Sequence, residues 1–166
     1  MITIGIDPGT ATTGFSIVEK NNKGEIKLLD YGCIKTAAGL AMGIRLNQIA
    51  KDLQTLIKKW KPNHSSIEKL FFNKNVKTAI TVAQARGVIL QILEENHIEQ
   101  DEYTPLEVKS AVCGYGKADK KMVQEMVKII LGLSKVPKPD DAADAIALAL
   151  CSINSLKINR NKGKRL

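Results

Sequence analysis

The sequence predicts an α/β fold in which a mixed five-stranded sheet, an antiparallel meander plus parallel strands, is flanked by helices on both faces. Three short segments rich in apolar and β-branched residues come first, at residues 2–6, 14–18 and 25–34. Turn-forming residues 21–24 join the second segment to the third, which predicts antiparallel neighbours. From residue 42 onward, helical periodicity alternates with strand-like segments, so further strands are expected to join the same sheet.

The segments after the meander differ in the spacing of their apolar residues. Residues 42–60 carry apolar side chains at steps of three and four, which predicts a helix that Pro62 ends. The next segments are predicted to be a strand at residues 65–70, a helix at 77–95 and a strand at about 98–103. This order predicts helices packed against both faces of the sheet.

The last third of the chain predicts three more helices. Thr104 begins a capping box, and Gly114 ends the helix that follows. Asp119 can cap the next helix, which Gly132 ends. The third helix is expected to span about residues 141–155 and is apolar almost all round, so it should be buried.

The chain is basic. It has 25 Lys and Arg against 17 Asp and Glu, a formal net charge of +8, which favours a polyanionic partner such as nucleic acid. We predict a single domain at residues 1–156 and a disordered basic tail at residues 157–166. The tail could simply aid solubility or could contact phosphates non-specifically.

Cys33, Cys113 and Cys151 are scattered and include no CxxC pair. This pattern argues against a disulfide framework and against structural zinc, and it favours small buried thiols in a reducing compartment. The sequence shows no secretory signal and no apolar run of membrane-spanning length. We therefore expect a cytoplasmic protein.

Four acidic residues stand in segments where a charge is costly. Asp7 and Glu68 end apolar strands, whereas Asp141 and Asp144 lie three residues apart on one face of the last helix. Buried acids must be paired, protonated or bound to a metal. Each could be a helix cap or half of an ion pair, and Asp141, beside Asp140 at a helix start, fits a capping role.

Together the four acids favour a metal site. Neither Asp7 nor Asp144 has a Lys or Arg partner in its own segment, and neither His nor Cys lies beside the acids. An all-oxygen ligand set suits a hard cation such as Mg²⁺. Four carboxylates can hold two metals about 3.5–4 Å apart, which activate a water and stabilise the leaving oxygen of a phosphodiester. The sequence therefore predicts a metal-dependent nuclease.

The segments that carry these acids resemble the motifs of the RuvC family of Holliday-junction resolvases, which have a ribonuclease H-like fold. The resemblance covers roughly residues 1–153. Any one motif is moderately specific, and the ordered set is highly specific. The matching stretches are Gly5-Ile6-Asp7-Pro8-Gly9 with Thr13-Gly14, Ser66-Ile67-Glu68 with Phe71, Lys74-Asn75, Gln84-Ala85-Arg86-Gly87, Gly114-Tyr115-Gly116 with Ala118 and Lys120, and Asp141-Ala142-Ala143-Asp144-Ala145.

The resemblance implies an endodeoxyribonuclease that makes paired, symmetric nicks in four-way DNA junctions and leaves 5′-phosphates, in homologous recombination and DNA repair. It implies Mg²⁺ as cofactor, two ions per subunit, with Mn²⁺ able to substitute. It also implies a homodimer, with the helix at residues 77–95 as its surface, and a partnership with the RuvA–RuvB branch-migration complex. Two nicks on opposed strands need two active sites, which agrees with a dimer.

The resemblance also implies roles for individual residues. It gives catalysis and metal binding to Asp7, Glu68, Asp141 and Asp144. It adds Lys109 and Lys120 near the scissile phosphate, although either alone would be an ordinary surface lysine. Stacking near the junction centre is implied for Phe71, because an aromatic side chain suits unpaired bases. Met122 stands where the family commonly has Gln, a departure at the position of one polar DNA contact. The DNA contacts expected on this basis are Phe71, Lys74, Asn75, Lys77, Arg86, Lys117 and Lys121.

Three other functions fit parts of the pattern. A related ribonuclease H-like nuclease could process ribosomal RNA, although residues 66–68 and 84–87 favour the RuvC branch. A catalytically silent junction-binding module would gain little from burying four uncompensated charges. An ATPase of the actin and sugar-kinase superfamily shares the glycine-rich pattern at residues 5–10, but it needs a second large domain.

Overall fold

The computed structural model describes the backbone of residues 1–69 and 76–162 and the side chains of residues 1–69 and 79–155. Three strands come first, and helices and strands alternate after them, in the predicted order. The elements are β1 (Ile2–Asp7), β2 (Thr12–Lys20), β3 (Ile26–Lys35), α1 (Met42–Trp60), β4 (His64–Glu68), α2 (Val76–Glu95), β5 (Glu99–Tyr103), α3 (Pro105–Cys113), α4 (Lys120–Ile130) and α5 (Asp140–Lys162).

The five strands form one mixed sheet in the order β3-β2-β1-β4-β5. The first three are antiparallel neighbours, while β4 pairs in parallel with both β1 and β5. Parallel neighbours need a crossover connection, which α2 supplies between β4 and β5. The predicted fold class is confirmed, and β1 lies at the centre of the sheet.

Helices cover both faces of this sheet and bury two apolar cores. On one face, α1 and α2 pack against side chains of β1 such as Ile4 and Ile6. On the other face, α5 lies against the sheet and is covered in turn by α3 and α4. The predicted burial of α5 is confirmed, since Ile146, Leu150 and Ile153 are fully buried.

Two glycines let α5 approach the sheet at backbone contact distance. A Cβ atom at Gly5 would collide with the carbonyl oxygen of Ala145, and one at Gly14 would collide with the carbonyl oxygen of Asp141. No side chain therefore fits between these strands and the helix. The two glycines therefore determine the distance between the sheet and the turn of α5 that carries Asp141 and Asp144.

Serine hydroxyls fix the position of α5 along the sheet. Ser16 Oγ donates to the carbonyl oxygen of Ala145 at 2.9 Å, and Ser66 Oγ donates to that of Leu148 at 2.7 Å. All four residues are buried, so these hydrogen bonds are made without competition from water. They tie the first turns of α5 to β2 and β4.

We expect Gly5→Ala to destabilise the protein by about 2–3 kcal/mol, because the added methyl group must push α5 off the sheet. Urea unfolding monitored by circular dichroism measures this loss. Gly43→Ala in α1 is the matched control, since no atom lies within 4 Å of a Cβ built at Gly43. That substitution should be neutral or stabilising, as alanine favours helix. Equal midpoints for Gly5→Ala and wild type would contradict the close approach.

The predicted helix starts are confirmed in detail. Thr104 Oγ1 accepts a hydrogen bond from the amide of Glu107 at 3.1 Å, and the Glu107 carboxylate accepts from the amide of Thr104. Asp119 accepts from the amide of Met122 at 2.7 Å. Both caps could be predicted from the sequence because the capping side chain and the amide that it binds lie within one helical turn.

The end of the last helix was predicted wrongly. We placed it near Ser155, whereas α5 runs to Lys162. The reason is local, because residues 156–162 contain neither proline nor glycine to stop a helix. The proposed boundary between domain and tail therefore falls within α5. The division into domain and tail stays a prediction, and residues 163–166 lie outside the described part.

The three cysteines are free thiols, but only Cys151 is buried. Cys33 and Cys113 are partly exposed, which corrects the expectation of three buried thiols. Cys33 lies on β3, the edge strand of the sheet, where fewer neighbours cover a side chain. Within residues 1–69 and 76–162, no helix has the length and apolar character needed to cross a membrane.

Candidate active site

Two acids meet where neighbouring parallel strands end. Asp7 is the last residue of β1 and Glu68 is the last residue of β4. These strands pair in parallel, with Ile6 opposite Ile67, so the residues that follow in each strand lie at the same edge of the sheet. Both acids are partly buried at this edge.

The first turns of α5 bring two more acids to this edge. Asp141 and Asp144 lie one turn apart, and the contacts of α5 with the sheet hold that turn over the end of β1. All three acids Glu68, Asp144 and Asp141 act electrostatically on Asp7. The structure therefore brings together the four carboxylates that the sequence singled out.

The environment of Asp7 strongly disfavours its charge. Burial, and then the negative charges of Glu68, Asp144 and Asp141, raise the pKa of Asp7 to about 7, while Lys120 lowers it. Burial and the charge of Asp144 likewise raise the pKa of Glu68. Perturbed acids of this kind, in a cleft, are typical of functional sites.

Lys120, at the start of α4, is the cation that faces these acids. Its Nζ lies 2.9 Å from Asp144 Oδ2 and 3.6 Å from Asp140 Oδ2. The hydrogen bond to Asp144 is the main cause of the raised pKa of Lys120, so its ammonium group stays charged at neutral pH. Lys120 thus partly compensates the acids.

An open hollow of about 230 Å³ contains most of this cluster. Three of the acids and two lysines line the hollow together with apolar side chains. Asp141 lines a second hollow instead. The lining residues are the charged Asp7, Glu68, Asp144, Lys109 and Lys120, and the apolar Pro105, Val108, Val123, Ala147 and Leu148.

The donor atoms of the cluster fit a hard cation. Within the described residues, no three His, Cys, Asp or Glu side chains are arranged to hold a metal ion as they stand. Asp144 is instead bonded to Lys120, and the remaining negative charge raises the pKa of Asp7. A divalent cation bound by carboxylate oxygens would provide the missing compensation. The residues that would hold it are Asp7, Glu68, Asp141 and Asp144.

The other residues assigned to DNA have different surroundings. Lys117 and Lys121 are exposed near the hollow, before and within the first turn of α4. Arg86 is instead bound to Glu102 of β5 at 2.6 Å, and its side chain is 17% exposed. The ion pair uses Nη2, whereas Nε is buried without a hydrogen-bond partner within the described residues, and the role of Arg86 at DNA stays a prediction. Phe71, Lys74 and Asn75 lie outside the described residues, as does the side chain of Lys77.

The sequence missed two charged neighbours of the site. Asp140 accepts hydrogen bonds from Lys138 and Gln124 and lies 3.6 Å from Lys120. Its place directly before Asp141 was the signal that could have found it. Arg45, which faces the neighbouring hollow beside Asp141, gave no local signal, because it lies on an ordinary amphipathic helix.

Comparison with known proteins agrees with the fold and the motifs. The family model described as crossover junction endodeoxyribonuclease RuvC matches residues 3–152. A RuvC from Syntrophomonas wolfei is 51% identical over 159 residues, which cover 96% of this chain and 92% of the relative. A RuvC from Halothermothrix orenii is 48% identical over 165 residues, or 99% of each chain.

Solved structures give the same result. The Thermus thermophilus RuvC structure superposes with a TM-score of 0.89 at 31% identity and covers 96% of this chain and 97% of its own. T. thermophilus RuvC in complex with Holliday junction substrate superposes with a TM-score of 0.87 at 28% identity, covering 95% and 96%.

The sheet order, with a buried helix crossing the ends of β1 and β4, defines an α/β protein of the ribonuclease H-like class. Within this class the matched family model spans most of the chain. The chain belongs to the RuvC family of crossover junction endodeoxyribonucleases.

Proposed function

We propose that this protein resolves four-way DNA junctions by hydrolysing one phosphodiester in each of two opposed strands. The observation that carries the proposal is that Asp7, Glu68 and Asp144 line one hollow together with Lys109 and Lys120. Relatives named crossover junction endodeoxyribonuclease RuvC, and a RuvC solved with Holliday junction substrate, support the choice of substrate. The reaction serves homologous recombination and DNA repair, on chromosomal DNA in the cytoplasm.

Each nick adds water across one phosphodiester. The water oxygen bonds to phosphorus, the bond between phosphorus and the 3′ oxygen breaks, and the products are a 5′-phosphate and a 3′-hydroxyl. One proton leaves the water and one reaches the 3′ oxygen. Bound cations would compensate the burial and negative charge that raise the pKa of Asp7 and of Glu68 in the metal-free protein, and would leave both carboxylates ionised as ligands.

The lysines stabilise charge in the same hollow. Lys109 and Lys120 line the same hollow as the acids, and we propose that they stabilise the negative charge that the phosphate oxygens gain in the transition state. The apolar part of the lining, which includes Val108 and Leu148, lowers the local dielectric constant and strengthens these interactions.

Nucleases of this family are metal-dependent. We propose two Mg²⁺ ions per subunit, replaceable by Mn²⁺, held by Asp7, Glu68, Asp141 and Asp144. Such a pair of ions supplies Lewis-acid stabilisation of the attacking and leaving oxygens. The all-carboxylate donor set supports a hard cation over zinc.

We further propose that the protein acts as a homodimer and works with the RuvA–RuvB branch-migration complex. Paired nicks need two active sites related by symmetry, which a twofold dimer provides. Helix α2 is the proposed dimer surface, and Ile80, more than half exposed on that helix, supports this choice. The proposed DNA contacts are Phe71, Lys74, Asn75, Lys77, Arg86, Lys117 and Lys121.

A nicking assay tests this function. An end-labelled four-way junction, a linear duplex of the same sequence and a structured RNA are each incubated with the protein, with Mg²⁺ or with EDTA. We expect nicks at equivalent positions of two opposed strands, in the junction alone and with Mg²⁺ alone. Equal cutting of the duplex would indicate a general nuclease, and cutting of the RNA alone would indicate an RNA-processing enzyme.

A further inference from the structure

A second hollow opens beside the catalytic one, on the side of Asp141. Its volume is about 370 Å³, and it is lined by loop residues 9–11, by Thr12 at the start of β2, by Arg45 of α1 and by residues 81–82 of α2. Asp141 links the two hollows, because it lines the second and also raises the pKa of Asp7. Asp141 therefore lies between the catalytic acids and this hollow.

A relay of threonine hydroxyls anchors Arg45. Arg45 Nε donates to Thr36 Oγ1 at 2.8 Å, and Thr36 Oγ1 donates to the carbonyl oxygen of Thr10 at 2.6 Å. Thr10 Oγ1 donates in turn to the carbonyl oxygen of Thr81, also at 2.6 Å. Thr10 and Thr36 are only 6% and 8% exposed. The relay joins α1, the residue that follows β3, the loop after β1 and α2, so the arginine is held by a rigid support.

The charge of Arg45 is not used within the described part of the chain. No carboxylate there lies within 4 Å of its guanidinium, and its one hydrogen bond there uses Nε. The two terminal nitrogens are thus left for a ligand. A pre-oriented guanidinium with paired N–H groups matches the oxygens of a phosphate.

We propose that Arg45 binds a backbone phosphate of the DNA strand, close to the phosphodiester that is cut. This inference rests on the proposed function. The occupant is a phosphate within a polynucleotide, because Asp141 on the same rim repels a free anion. A strand held at the same time by Lys109 and Lys120 carries its next phosphates into the hollow. Arg45 holds the backbone away from the reacting atoms, so it is a positioning residue.

The test is the salt dependence of junction binding, measured by fluorescence anisotropy in EDTA. Arg45→Gln removes the charge but keeps an N–H donor for Thr36. We expect the slope of log affinity against log salt to fall by about 0.9 for each phosphate that the variant no longer neutralises, with binding weakened about tenfold. Arg45→Lys should restore most of the slope. Lys51→Gln removes a charge from an exposed site of the same helix and should leave the slope unchanged.

A slope for Arg45→Gln equal to those of wild type and Lys51→Gln would overturn the inference. A purely structural role predicts a different pattern, in which Arg45→Gln and Thr36→Val both lower the melting temperature while the slope stays constant. If the proposed function is wrong, the wild-type protein will not nick junctions, and this outcome is detected separately. In that case the slopes measured on linear duplex still report whether Arg45 contacts phosphate.

Discussion

Replacement of Asp7 with Asn is expected to slow junction nicking by about 10³-fold or more, while junction affinity stays within about threefold of wild type. Asn keeps the size and shape of the side chain but removes its negative charge and its ability to accept a proton. Asp7 is the acid on which the charges of Glu68, Asp144 and Asp141 converge, so its loss affects the whole cluster. DNA binding depends instead on the basic residues.

Single-turnover nicking of an end-labelled junction with Mg²⁺ measures the first effect, and anisotropy in EDTA measures the second. Asp52→Asn is the matched control, because Asp52 is exposed on α1 and its replacement removes one negative charge far from the hollow. The control should cut at the wild-type rate. Wild-type nicking by Asp7→Asn would remove Asp7 from the catalytic set, and loss of junction binding would show that its role is structural.

Local sequence signals predicted the elements of the fold well. The meander, the helix ended by Pro62 and the caps at Thr104 and Asp119 each depend on residues within a few positions of one another. The height of α5 above the sheet could not be predicted in the same way. That height depends on contacts of Gly5 and Gly14 with a helix more than 120 residues later in the chain. A glycine in a strand can also mark a bulge or a bend, so the sequence alone does not single out a helix contact.

The acidic cluster could be predicted because the topology of the sheet and the spacing along the helix determine where its members lie. Acids at the ends of adjacent parallel strands must meet, and acids three apart on a buried helix must share a face. Partners of long basic side chains were harder to predict. Lys120 reaches Asp144 from another helix, whereas Arg86, expected at DNA, is paired with Glu102. A sequence does not distinguish a basic residue that faces an acid on the next element from one that faces solvent.

Asp7 is also expected to have a large effect on the stability of the metal-free protein. The pKa of Asp7 is about 7 in the folded protein, above its ordinary value of 3.8, so the folded state binds a proton more tightly than the unfolded state. The stability that this proton contributes is fully present below about pH 4 and is lost as the pH rises through 7. Between these values the loss is about 1.4 kcal/mol per pH unit.

Asp7→Asn should therefore be more stable than wild type at pH 8 in EDTA, by about 3–4 kcal/mol, and nearly equal to it at about pH 4. Urea unfolding of both proteins across this range measures the difference, in which the shared titration of Glu68 and other groups largely cancels. Added Mg²⁺ should narrow the gap at pH 8, because a ligand of the folded state stabilises wild type more than a variant that lacks one carboxylate. A difference in stability that does not change with pH would show that the charge of Asp7 is already compensated in the folded protein.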